Sequence, residues 1–225
     1  MLPKRLLLSV VSMFFVFLAK ADMTYTTLSP NGNIKLEVLH RQNGDVVYRV
    51  FYKEKAVITP SGLGMKFKVP EVTLTKFKLL AVDSSAFDET WNPVWGETKT
   101  IRNNYKQLVL KLADKGTSGI EMAITFRVFD DGVGFRYSFP QQAKLNHFIV
   151  ADELTQFGMS GDHKAFWIPG DYDTNEYGYY TSNLSKVDAS GGGFAQEIHA
   201  KTSFDNNAVQ TPLMMKSADG LYINL

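Results

Sequence analysis

The chain has 225 residues, 44% of them hydrophobic, 13% aromatic and 21% charged, which suits one large β domain or two small ones. Its formal net charge is +1 with Lys and Arg scattered along it, so it offers no electrostatic handle for nucleic acid or an anionic membrane. It contains no cysteine, which excludes disulfides, thiolate metal sites, a cysteine nucleophile and a lipid-modified cysteine.

Residues 1–21 read as an export signal. Lys4 and Arg5 precede an apolar run from Leu6 to Leu18, and Ala19-Lys20-Ala21 fits the small-x-small cleavage pattern. The run is shorter than the ~20 apolar residues a spanning helix needs. The mature domain is therefore expected to cover residues 22–225, to be periplasmic and to carry no membrane anchor.

After Asp22 the pattern is mostly period two. Ile34 to Val38 alternates apolar and polar, as a half-buried strand does. Asn43-Gly44 suits a tight hairpin turn, and Val46 to Tyr52 is its return strand. Lys55 to Ile58 predicts a short strand before a turn at Pro60-Ser61-Gly62. Leu63 to Lys68 and Leu74 to Val82 follow as strands. Thr98 to Arg102 and Tyr105 to Leu112 predict a hairpin joined near Asn103-Asn104. Ile120 to Phe129 and Val133 to Phe139 predict another around Asp130-Asp131-Gly132. Phe148 to Val150 and Ala165 to Ile168 are shorter candidates. From Tyr172 the composition is that of a loop, rich in Tyr, Asp, Asn and Gly. Leu213 to Lys216 and Leu221 to Leu225 resume a hairpin around Asp219-Gly220. No helical periodicity occurs beyond the export signal. The expected fold is all-β, a large antiparallel β-sandwich of two curved sheets. The last strand runs to the end of the sequence, so the chain is expected to be cut short.

Little catalytic chemistry is visible. There is no dinucleotide fingerprint, phosphate loop or nucleophile elbow, and the four histidines are isolated. Asp171, Asp173 and Glu176 lie together in the Tyr-rich loop. They could supply part of a calcium shell, although solvated loop carboxylates are the commoner meaning of such a cluster. Glu89, Glu97 and Glu176 each sit near Trp or Tyr, but nothing pairs two of them as glycosidase carboxylates. Trp91 and Trp95 could form a sugar platform, with packing at a sandwich edge or an interface the favoured reading. Arg127 and Arg136 are expected to pair with Asp130 and Asp131 beside the hairpin.

Several segments together resemble glycoside hydrolase family 97. They are Asp88-Glu89-Thr90-Trp91-Asn92-Pro93-Val94-Trp95-Gly96-Glu97, Ile101-Arg102-Asn103-Asn104-Tyr105, the stretch Phe126 to Tyr137, Phe157 to His163, Phe166 to Asp173, and Met214-Met215-Lys216. The resemblance covers nearly all of the mature chain, in order. It implies the N-terminal β-supersandwich of a calcium-dependent, exo-acting α-glycosidase, with catalysis in a (β/α)8 barrel that would follow. It also implies an oligosaccharide substrate, with α-glucosidase ahead of α-galactosidase, and leaves inversion or retention open. The stretch Asp173-Thr174-Asn175-Glu176-Tyr177 matches the family position where an N-terminal-domain glutamate joins barrel glutamates around calcium. Glu176 is thus the implied metal ligand, and no catalytic residue is expected in this chain. Alone, the chain is expected to be inactive. The competing expectation is a stand-alone exported carbohydrate-binding sandwich.

Overall fold

A computed structural model describes residues 21–171, 175–190 and 207–225, so the expected export signal, Ala21 apart, lies outside the described residues. The described strands are β1 (Met23–Leu28), β2 (Ile34–His40), β3 (Val46–Tyr52), β4 (Lys55–Gly62), β5 (Met65–Val69), β6 (Val72–Leu74), β7 (Phe77–Trp91), β8 (Ile101–Asp114), β9 (Glu121–Val128), β10 (Val133–Ser138), β11 (Ile149–Glu153), β12 (Lys164–Trp167), β13 (Tyr180–Asn183), β14 (Met214–Lys216) and β15 (Tyr222–Asn224). Among the described residues the only helical element is a 3-10 turn at Leu184–Lys186. None of their helices is long and apolar enough to cross a membrane.

The expected all-β sandwich is the observed architecture. Two four-stranded antiparallel meanders, β1-β2-β3-β4 and β10-β9-β8-β7, face each other, with β1 packed across β8 and β2 across β9. Period-two patterning decides which side chains meet. Leu36 and Val38 point inward from β2, while Leu108, Leu110 and Leu112 do so from β8, and Met122, Ile124, Phe126 and Val128 from β9. The small sheet β11-β5-β6 closes this core with Phe67 and Leu74. Each such side chain contributes roughly 1.5–3 kcal/mol on leaving water.

A fourth sheet, β13-β12-β14-β15, has its own smaller core of Ala165, Trp167, Ala189, Leu213 and Met215. Met159 and Leu225 pack against both cores, and Lys55 Nζ pairs with Asp219 at 2.6 Å across them. The edge of β4 is covered by the segment 154–160. It receives Thr59 N–H at Gly158 and donates Gln156 N–H to Gly62 and Leu154 N–H to Gly64. That pairing hides backbone groups an open edge would expose.

Several local expectations change. Asn103-Asn104 is not a turn: both residues lie inside β8, whose partner β7 runs on to Trp91. Residues 83–91 are exposed on both faces, so this half of β7 lacks the alternation that marks a half-buried strand. Pro60-Ser61-Gly62 is likewise not a turn but the end of β4. Thr59 and Pro60 there oppose the single residue Arg49, a bulge in an outer strand where proline is tolerated. The short strand expected at Lys55–Ile58 is thus longer. β1 and β13 are strands the sequence pattern did not reveal; both are polar and short. At Asn43-Gly44 only Gly44 takes positive φ, at 96°. A side chain there would also meet Phe77 N at 3.1 Å. The two-residue β3–β4 turn instead places Lys53 and Glu54 at φ 47° and 64°, without glycine. The hairpins around Asp130-Asp131-Gly132 and Asp219-Gly220 form as expected.

Candidate calcium loop and exposed aromatic arm

The loop that carries Glu176 is set up by β12 and β13. These strands pair antiparallel, with Trp167 opposite Tyr180, so residues 168 and 179 leave and re-enter one sheet side by side. The Trp167 and Tyr180 rings stack at 5.0 Å, and Trp167 Nε1 donates to Ser182 Oγ at 3.0 Å. The start of the loop is clamped against residues 208–210. Pro169 bridges Val209, Gly170 N–H donates to Ala208 O at 2.8 Å, and Gln210 N–H donates to Ile168 O at 3.1 Å. Gly170 is required there, because a Cβ would lie 2.9 Å from the Ala208 Cβ. On the far side, the Tyr177 hydroxyl donates to the Asp171 carboxylate and ties the two ends of the loop together.

Glu176 is exposed next to this tie. Asp171 has a structural task, as acceptor from Tyr177, whereas Asp173 lies outside the described residues. Among the described residues no group of three His, Asp or Glu could hold a metal. Calcium takes about six to eight oxygens, so a shell here would need oxygens beyond those in the described part of this chain. The Glu176 carboxylate by itself falls short of such a shell.

One residue that was not among the site candidates helps shape this region. Asp162 accepts from Ser185 N at 2.8 Å, Ser185 Oγ at 2.8 Å and Asn183 Nδ2 at 3.2 Å, and so holds the turn after β13. The Ser185 N–H and hydroxyl bonds hold its carboxyl below the usual aspartate range. It lies inside the Phe157 to His163 motif, where an aspartate by itself gives no sign of a structural task. His163 beside it is buried, and its Nε2 has no partner among the described residues.

The other candidates sit elsewhere. Trp91 and Trp95 do not pack on the sandwich edge: Trp91 is 47% exposed, Trp95 87% and Val94 100%. They lie at the tip of a ribbon made by the outer halves of β7 and β8, with Glu97 in the loop between the strands. Glu89 accepts from Asn103 Nδ2 at 3.2 Å in that ribbon, which accounts for it structurally. Arg127 does not pair with Asp130 or Asp131. Its Nε donates to Gln107 at 3.0 Å and its guanidinium lies 4.3 Å from the Tyr105 ring centroid. An open cleft of about 370 Å³, with Tyr52, Asp131 and Tyr222 in its wall, includes none of Glu89, Trp91, Trp95, Glu97 or Glu176.

A family model described as glycosyl-hydrolase 97 N-terminal matches residues 28–225. A glycoside hydrolase family 97 enzyme from Pseudoalteromonas sp. strain K8 has been solved as a variant in complex with panose, and it is 30% identical with a TM-score of 0.75. The same enzyme in complex with acarbose gives 30% identity and a TM-score of 0.73. Both matches cover 89% of this chain and 28% of theirs, so the chain spans less than a third of those proteins. A β-arabinopyranosidase, 18% identical with a TM-score of 0.71 over 89% of this chain and 31% of its own, shares the fold. With the sandwich, the ordered motifs and the match over residues 28–225 in agreement, the chain belongs to the glycoside hydrolase family 97 N-terminal domain family.

Proposed function

We propose that residues 22–225 form the N-terminal sandwich of a calcium-dependent, exo-acting α-glycosidase of the bacterial periplasm, exported by residues 1–21. The domain packs on a (β/α)8 catalytic domain and gives Glu176 to a calcium shared with it. The substrate is an oligosaccharide, α-glucoside ahead of α-galactoside. The panose and acarbose complexes of the 30% identical relative support this substrate class. The observation that carries the calcium reading is the clamped loop with Glu176 exposed on it. When bound, calcium would supply positive charge that polarises neighbouring oxygens. This chain's own part is to hold one carboxylate oxygen in place, through the Pro169–Val209 bridge and the Tyr177–Asp171 bond.

The test uses the complete enzyme. Glu176→Gln is expected to weaken calcium binding by about tenfold or more and to blunt the calcium-dependent rise in thermal midpoint. Unchanged calcium affinity would remove Glu176 from the shell. The 225-residue chain alone is expected not to hydrolyse nitrophenyl α-glucoside. Calorimetric titration of that chain with maltodextrins separates this reading from a stand-alone carbohydrate-binding sandwich, which alone predicts tight binding.

A further inference from the structure

β9 pairs with β8 only from Lys106 to Ala113, whereas β7 pairs with β8 out to Trp91 opposite Ile101. The pairs from Phe87–Tyr105 to Trp91–Ile101 therefore form a two-stranded arm that reaches roughly 15 Å beyond the sheet. A free two-stranded ribbon is marginal in water. This one is stiffened along its length. Phe87 stacks on Tyr105 at 5.4 Å, and Arg102 makes a two-pronged ion pair with Asp88 at 2.8 and 2.7 Å. Asn103 bonds Glu89, and Thr100 Oγ1 donates to Asn92 at 3.1 Å across the base of the tip.

At the tip the pattern inverts. Trp91, Asn92-Pro93, Val94 and Trp95 carry no charge, and Val94 and Trp95 are almost wholly in water. Bare adjoining apolar side chains on a stiffened arm mark an interaction surface. Two features choose its occupant. Along the arm beneath the tip, the side chains of Asp88, Glu89, Asn92, Thr100, Arg102 and Asn103 are bonded to one another, and the Val94 side chain offers no hydrogen bond. A protein surface needs apolar area beside a satisfied polar rim, and the tip on its bonded arm supplies both. The solved relatives also carry more than two-thirds of their length outside the matched region.

We propose that the tip around Trp91, Val94 and Trp95 is an anchor that docks on the catalytic domain of the same polypeptide. This rests on the proposed function, which supplies that domain. The anchor lies on a different part of the chain from the Glu176 loop.

Hydrogen–deuterium exchange of residues 92–97 tests it, comparing the 225-residue chain with the complete enzyme. Exchange in the complete enzyme is expected to be slower by about tenfold or more, at every protein concentration and without sugar. Val94→Ser/Trp95→Ser is expected to lower the thermal midpoint of the complete enzyme while leaving that of the 225-residue chain in place. Equal exchange in both proteins overturns the proposal. So does protection that appears only with added maltohexaose, or only as concentration rises, which would point to a sugar or a second copy. Nitrophenyl glucoside hydrolysis by the same preparation tells the two readings apart. An active enzyme with an unprotected tip defeats the anchor alone.

Discussion

The facing meanders and the small sheet β13-β12-β14-β15 keep their shape by different means. Between the meanders, whole rows of side chains from β2, β8 and β9 are out of water, and the polar groups lie outside. The small sheet has few such residues and leans on individual polar ties: Trp167 to Ser182, Asp162 to Ser185, Asp171 to Tyr177, and Lys55 to Asp219. The difference makes the base tolerant of substitution and the loop region dependent on particular residues. Area burial is non-directional and tolerant, whereas each tie demands one residue at one place.

Substitutions can sharpen or break this contrast. The largest effect is expected from Phe126→Ala, which opens a cavity at a fully buried site and should cost about 3–5 kcal/mol by urea unfolding. A loss under about 1 kcal/mol would mean that the meanders are not the stabilising core. Met215→Ala in the small core should cost about 2 kcal/mol, the low end for a buried methionine, because few neighbours surround it. Amide exchange should then quicken in β12 and β13 before it does in β8 and β9; uniform quickening would show that both cores open as one unit.

The smallest effect concerns acid. Hydrogen bonding to Lys55, and then to Ser217, holds the Asp219 carboxyl at about 2, below its ordinary 3.8. A carboxyl lowered on folding adds stability above its unfolded value, and that contribution fades as pH falls through the folded value. Asp219 is exposed, so the contribution is slight. Asp219→Asn should narrow the gap between urea midpoints at about pH 5 and about pH 2.5. An unaltered gap would show that the Lys55 pair does not couple the small sheet to β4. Asp45, also lowered, by Lys76, would then account for more of the acid response.

Much of the fold was legible because the meanders are half-buried. Ile34 to Val38 and Ile120 to Val128 alternate, and alternation is the imprint of one wet and one dry face. The arm was misread for the same reason in reverse. Asp83 to Trp91 is wet on both faces, so its strand character left no alternation, and Asn103-Asn104 looked like a turn. The candidate site was legible only as a motif: Glu176 stood out through the family resemblance, while the neighbours that clamp its loop, Val209 and Ala208, lie more than thirty residues further on.

From sequence alone followed the all-β class, the order of most strands, the absence of cysteine chemistry and the family. The class, the strands and the lack of cysteine chemistry depend on local pattern or composition, and the family on the resemblance of several motifs in order. Only the tertiary structure decided that β7 and β8 run out together as an arm, that Trp95 stands in water, and that residues 168–170 are pinned to residues 208–210. Those outcomes depend on which distant segments meet, and the energy of such contacts lies in pairs that local pattern does not record.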